Sequence, residues 1–187
     1  MHRALLIPVG LLVSPTLATA QFCFRGRPAP HCESFLITEF ALAHRFHTRW
    51  SESPWVLQWE LGALVNRGDH SALGGSVTVG GTDPLRFGVK ARARYWLGSK
   101  AALDIAPGVL LHTSGAGGLG FTGHVAVSYG DWFGAGLQVE TLPASRPLGP
   151  PKTLIGPRVQ VASYAAGIVG AVVALIGALM VASATST

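Results

Sequence analysis

The sequence predicts an all-β fold: an antiparallel up-and-down barrel of about eight strands, followed by one C-terminal apolar, transmembrane helix. Three observations predict it. From Ser34 to Tyr164 apolar and polar residues alternate with a period of two, the mark of strands with two unlike faces. That alternation is broken repeatedly by connections rich in Gly, Asp and Pro, alternately tight and long. After it comes Ala165–Ala182, a stretch with no charged residue.

Taken in order, residues 1–20 read as a secretory signal peptide. His2 and Arg3 form a basic start, Ala4 to Val13 an apolar stretch, and Ala18-Thr19-Ala20 a small-residue cleavage site. Residues 21–33 form a short loop carrying the two cysteines, Cys23 and Cys32. In an oxidising compartment such a pair closes a local disulfide, worth the lower end of about 2–4 kcal/mol because the loop is short. The barrel domain occupies 34–164. Its strands are expected near 35–47, 55–65, 71–80, 85–97, 101–112, 119–129, 132–142 and 154–163. Asn66-Arg67-Gly68-Asp69, Gly98-Ser99-Lys100 and Gly130-Asp131 make tight turns. Longer links fall at Thr48–Pro54, Gly81–Pro84, Ser114–Gly118 and Pro143–Thr153.

The two faces differ in kind. One reads Trp55, Leu57, Trp59, Leu61, then Val77 and Val79, then Phe121, Val125 and Val127. The other carries small polar residues and a near balance of charge, with Glu39, Glu60, Asp104 and Glu140 against Arg86, Lys90, Arg92, Arg94 and Arg158. An eight-stranded barrel is just wide enough to be filled by side chains, so these groups would form a polar interior with no pore. Only 12% of residues are charged and 49% are hydrophobic, a membrane-leaning composition beside the roughly one-quarter charged residues of ordinary soluble domains. The net charge of +5 contains no basic run, which excludes nucleic acid as a partner.

In strand count, loop parity and polar-in, apolar-out alternation, residues 35–163 resemble the small eight-stranded outer-membrane β-barrels of bacteria. That resemblance implies a cell-envelope protein in the outer membrane, tight turns facing the periplasm, membrane lipid as its surroundings and no cofactor. The chain departs from the pattern after Tyr164. The segment is expected to form a transmembrane helix over 165–183, whose uncharged stretch Ala165–Ala182 would be about 27 Å long, enough to span a bilayer. Gly167, Gly170, Ala171 and Ala174 would lie on one face, suited to close packing against a membrane-protein partner. An inner-membrane anchor carrying a periplasmic β-domain, an accessory subunit with its apolar face turned inward, is therefore the alternative.

Chemistry on the polar face is sparse. His124, Ser128 and Glu140 share a face on neighbouring strands and could in principle activate the serine for acyl transfer. The set resembles the His, Ser and Glu of outer-membrane lipid A deacylases, but His124 and Ser128 stand four residues apart where that family has two. Mutual hydrogen bonding among interior polar residues is the simpler expectation, and a non-enzymatic structural or interaction role follows. No metal site is expected: His44 and His47 fall on opposite faces, and His112 and His124 lack a third ligand.

Overall fold

A computed structural model describes residues 22–24, 26–28, 31–46, 54–80, 86–112, 119–142 and 152–162, with positions 166, 168, 170 and 172 beyond them. The signal-peptide segment and the long links lie outside the described residues. A two-residue strand β1 (Phe22–Cys23) pairs in parallel with the start of β2. Eight antiparallel strands follow: β2 (Ser34–His44), β3 (Trp55–Asn66), β4 (Ser71–Gly80), β5 (Arg86–Trp96), β6 (Ala101–His112), β7 (Leu119–Tyr129), β8 (Phe133–Leu142) and β9 (Lys152–Ala162). Each pairs with the next, and β2 pairs with β9 to close the barrel.

The register defines the geometry. Following paired residues once round the barrel from Ala43, through Arg158, Asp104 and Ala72, leads to Glu33, ten residues from the start. With about 3.3 Å per residue and about 4.8 Å between strands, that stagger tilts the strands by about 40°. An eleven-residue strand such as β5 then rises about 27 Å along the barrel axis. Two prolines mark interruptions. Pairing of β5 with β6 skips Ala91 and Arg92 opposite Ala106 and Pro107, and pairing of β9 with β2 stops at Arg158, beside Pro157. Proline has no N–H to give to a ladder.

Three tight turns join β3 to β4, β5 to β6 and β7 to β8 at one end, where β2 begins and β9 finishes. Gly68 and Gly98 adopt φ near +118°, and Gly130-Asp131 places two residues in succession near +60°, a turn closed by the Trp132 N–H on the Tyr129 carbonyl at 3.1 Å whose left-handed central residues match strand twist. The strand bounds differ slightly from the expected ones. β2 is assigned only to His44 and β9 begins at Lys152, so the last hairpin link is shorter than Pro143–Thr153.

The apolar face points outward and the charged face inward. Val89, Leu137 and Tyr129 are 58%, 59% and 61% exposed, whereas Glu39 and Asp104 are wholly buried. A sheet wrapped around its apolar face is not the one adopted. The interior is not uniformly polar, however: Phe35, Ile37, Leu64 and Ala72 form an apolar cluster at the tight-turn end, with Cys23 and Trp96 packed against it.

No helix among the described residues is long and apolar enough to cross a membrane, and the expected helix over 165–183 is seen only at four helical positions. Ala166 and Gly170, one turn apart, are buried; Ile168 and Val172 are exposed. Gly170 lies so close to the Trp59 indole on the outer wall that a Cβ there would overlap it. Of the other residues expected to pack this segment, Gly167, Ala171 and Ala174 lie outside the described residues.

Candidate functional site: the charged interior and the cleft at the tight-turn end

At the centre of the barrel two acids from adjacent strands, Glu39 and Glu60, stand directly opposite each other. Like charges so placed repel, and buried carboxylates need cations and donors. Arg92 on β5 supplies most of them. Its Nη1 donates to Glu39 at 2.9 Å and to Glu60 at 3.0 Å, and its Nη2 makes a second bond to Glu39. Lys90 donates to Glu60 at 2.8 Å and Ser76 Oγ to the same carboxylate at 2.5 Å. Arg158 approaches from β9, with Nη2 at 3.5 Å from Glu60 and 3.7 Å from Glu39. Its hydrogen bonds run instead to the amide oxygens of Gln160, Gln58 and Gln138 at 2.9–3.0 Å.

The same chemistry continues to both ends. At the loop end Glu140 accepts from Arg45 at 2.6 Å and from Arg86 at 2.7 Å. At the tight-turn end Arg94 makes a two-pronged pair with Asp104 at 2.8 and 3.0 Å, and donates to Asp131 at 2.8 Å. Room for these long side chains comes from β4, which sets Ala72, Gly74 and Ser76 beside Arg94, Arg92 and Lys90. Every acid named here is ion-paired, and the network runs the length of the barrel.

His124, Ser128 and Glu140 are not brought together. His124 Nδ1 lies 3.4 Å from Lys90 Nζ, Ser128 Oγ donates at 3.3 Å to Asp104, and Glu140 is held between Arg45 and Arg86 at the other end. Four residues of strand separate His124 from Ser128, about 13 Å. Among the described residues Glu39, Glu60 and His124 are the one set of possible metal donors close enough to share an ion. In this structure both carboxylates are occupied by Arg92, Lys90 and Ser76, and the set serves an ion-pair network.

At the tight-turn end the loop closed by Cys23–Cys32, whose Cα atoms are 5.9 Å apart, folds against the barrel mouth. Asn66, the last residue of β3, donates its amide to the carbonyls of Arg27 at 2.7 Å and Cys32 at 2.6 Å, and accepts from Trp96 Nε1 at 3.1 Å. Gly26 N–H donates to Asp131 at 2.8 Å, and Gly26 sits where a Cβ would overlap Arg94 and Phe35. The Arg94 guanidinium lies over the rings of Phe35 and Trp96, 5.6 and 5.4 Å from their centres. Asp131 therefore ties loop, turn and interior together, a role the period-two pattern does not reveal because the turn breaks the alternation. Between loop and turns lies a cleft of about 540 Å³.

These features define a closed, ion-filled, eight-stranded antiparallel barrel with an apolar outer wall and one capped end. No protein-family model, curated protein or solved structure significantly matches this chain.

Proposed function

We propose that this chain is a non-enzymatic bacterial envelope protein whose barrel is embedded in the outer membrane and which acts structurally or as an interaction platform through its ends. One observation carries the reading: charges fill the interior while the wall presented to the surroundings is apolar on every strand, with Leu57, Val77, Val89, Val109, Val125 and Leu137 exposed. Contiguous exposed apolar surface of that extent marks contact with lipid or another apolar phase. The strand rise of about 27 Å fits an apolar band of about 25 Å. Exposed Trp55 and Phe87 near one end, and Tyr95, Tyr129, Trp132 and Phe133 near the other, are where interfacial girdles would lie. The leader-like composition of residues 1–20 supports export, and the tight turns would face the periplasm.

The filled interior argues against a channel, and the dispersal of His124, Ser128 and Glu140 argues against acyl hydrolysis. Two measurements test the reading together: density-gradient separation of envelope membranes, and gel migration with and without boiling. Recovery with the outer membrane and a heat-dependent shift of the band are expected. Recovery with the inner membrane or in the soluble fraction would overturn it.

A further inference from the structure

We propose that the cleft between the disulfide loop and the tight-turn end binds the phosphate of an anionic phospholipid headgroup. The orientation of this cleft follows from the membrane reading above, which sets it at the periplasmic boundary of the bilayer. Three independent features of the cleft lead to the same ligand.

The first is charge. Arg27, His31 and Lys100 line the cleft. The one acid on its wall, Asp131, is already bonded to Arg94 and to the Gly26 N–H. Arg27 and Lys100 make no ion pair among the described residues, so the cleft carries a surplus of positive charge, and a concave surface of one sign concentrates the opposite ion. The second is position. Tyr129 and Trp132 also line the cleft and are 61% and 56% exposed at the rim of the apolar wall. A ligand seated there meets cations on one side and the start of the apolar belt on the other, which suits a phosphate attached to acyl chains. The third is construction. The disulfide, the Asn66 bonds to the Arg27 and Cys32 carbonyls, and the Gly26–Asp131 bond hold the backbone that carries Arg27 and His31. A site held in place before binding loses less freedom on occupation. Its volume falls within the range of small-molecule sites.

The test uses the full chain folded in nonionic detergent micelles, titrated calorimetrically with dihexanoyl phosphatidylglycerol, dihexanoyl phosphatidylcholine and inorganic phosphate. Expected is saturable binding of the phosphatidylglycerol, at least tenfold tighter than the zwitterionic lipid. Arg27→Gln and Lys100→Gln should each weaken it about tenfold, as loss of a charge-assisted hydrogen bond does. Arg67→Gln, in the β3–β4 turn outside the cleft lining, should leave it unchanged. Competition by inorganic phosphate would support recognition of the phosphate by itself; its failure to compete would support recognition of the lipid-borne headgroup. Absence of saturation, equal binding of the zwitterionic lipid, or an equal loss in Arg67→Gln would overturn the proposal. The band shift on boiling, read on the same sample, separates the two readings. A chain that shows it and binds nothing loses only the headgroup site. A chain that lacks it loses the membrane barrel itself.

Discussion

Replacing Glu39 by Gln is the sharpest probe of the buried network. The side chain is wholly buried and accepts from both terminal nitrogens of Arg92, with Arg94 and Arg158 each 3.7 Å away. Gln keeps the volume but removes the charge and turns an NH₂ donor toward guanidinium donors. Glu60 already serves Lys90, Arg92 and Ser76 and cannot take over. Removing one partner of a buried pair costs about 3–5 kcal/mol, because the other charge stays desolvated. Against a total of about 5–15 kcal/mol, that is a large fraction of the folding free energy. Arg92→Met in the Glu39→Gln background removes the cation that Glu39 pairs with, so the double variant should recover at least about 2 kcal/mol of the sum of the singles, the coupling expected of residues in one network. Equilibrium urea unfolding in phospholipid vesicles, followed by tryptophan fluorescence and by the band shift on boiling, measures both. A Glu39→Gln cost under about 1 kcal/mol, or strict additivity in the double variant, would refute the account of the interior as a coupled ion network.

The remaining expectations concern the wall, the cap and the polar residues. Val125→Arg, on the outer face in mid-strand β7, should cost about 2–4 kcal/mol in vesicles if that face meets lipid; a cost near zero there would show the wall is wet. Asp131→Ala removes the acceptor of both Arg94 and the Gly26 N–H and should cost about 1–3 kcal/mol, with faster amide exchange over residues 22–33. Asp131→Asn, which tolerates the left-handed turn and keeps an acceptor oxygen, should lose less. Replacing Cys23 and Cys32 together by Ser should remove about 2–3 kcal/mol and loosen the same residues while leaving the strand ladders protected. Ser128→Ala should leave the acyl composition of envelope lipids unchanged by mass spectrometry; a shift in acyl number would revive the hydrolase.

The strands were legible because each signal was local. A period of two, with Gly or Asp at the tight turns, locates β3 through β8 to within a residue or two. Which ions meet was not legible, because it depends on the stagger of the closed sheet. Arg92 reaches Glu39 across the lumen from β5 to β2, and Arg45, just past the end of β2, meets Glu140 on β8; no spacing along the chain encodes either contact. Asp131 escaped for a different reason: a turn residue has no assigned face until its φ is known. Phe35, Ile37 and Leu64 broke the polar-in rule at one end because the disulfide loop covers them there. Hydropathy alone marked 165–183 as an independent membrane helix, and it carries no information about what Gly170 touches; the contact is the chain's own Trp59.

A charge-filled interior also bears on how one register is selected. Shifting a strand by a single residue exchanges its faces. For β5 that exchange would turn Lys90, Arg92 and Arg94 outward and bring Val89, Ala91 and Ala93 among the remaining acids. In a bilayer each outward cation near the midplane costs about 2–4 kcal/mol, and each acid left inside without its partner adds the penalty of an uncompensated buried charge. In water the outward cations would be solvated, and the acids left unpaired inside would supply the penalty. The network and an apolar surround therefore select the observed register jointly. The acids stranded by a slip would count against it in any surroundings, and an apolar surround would add the cost of the exposed cations.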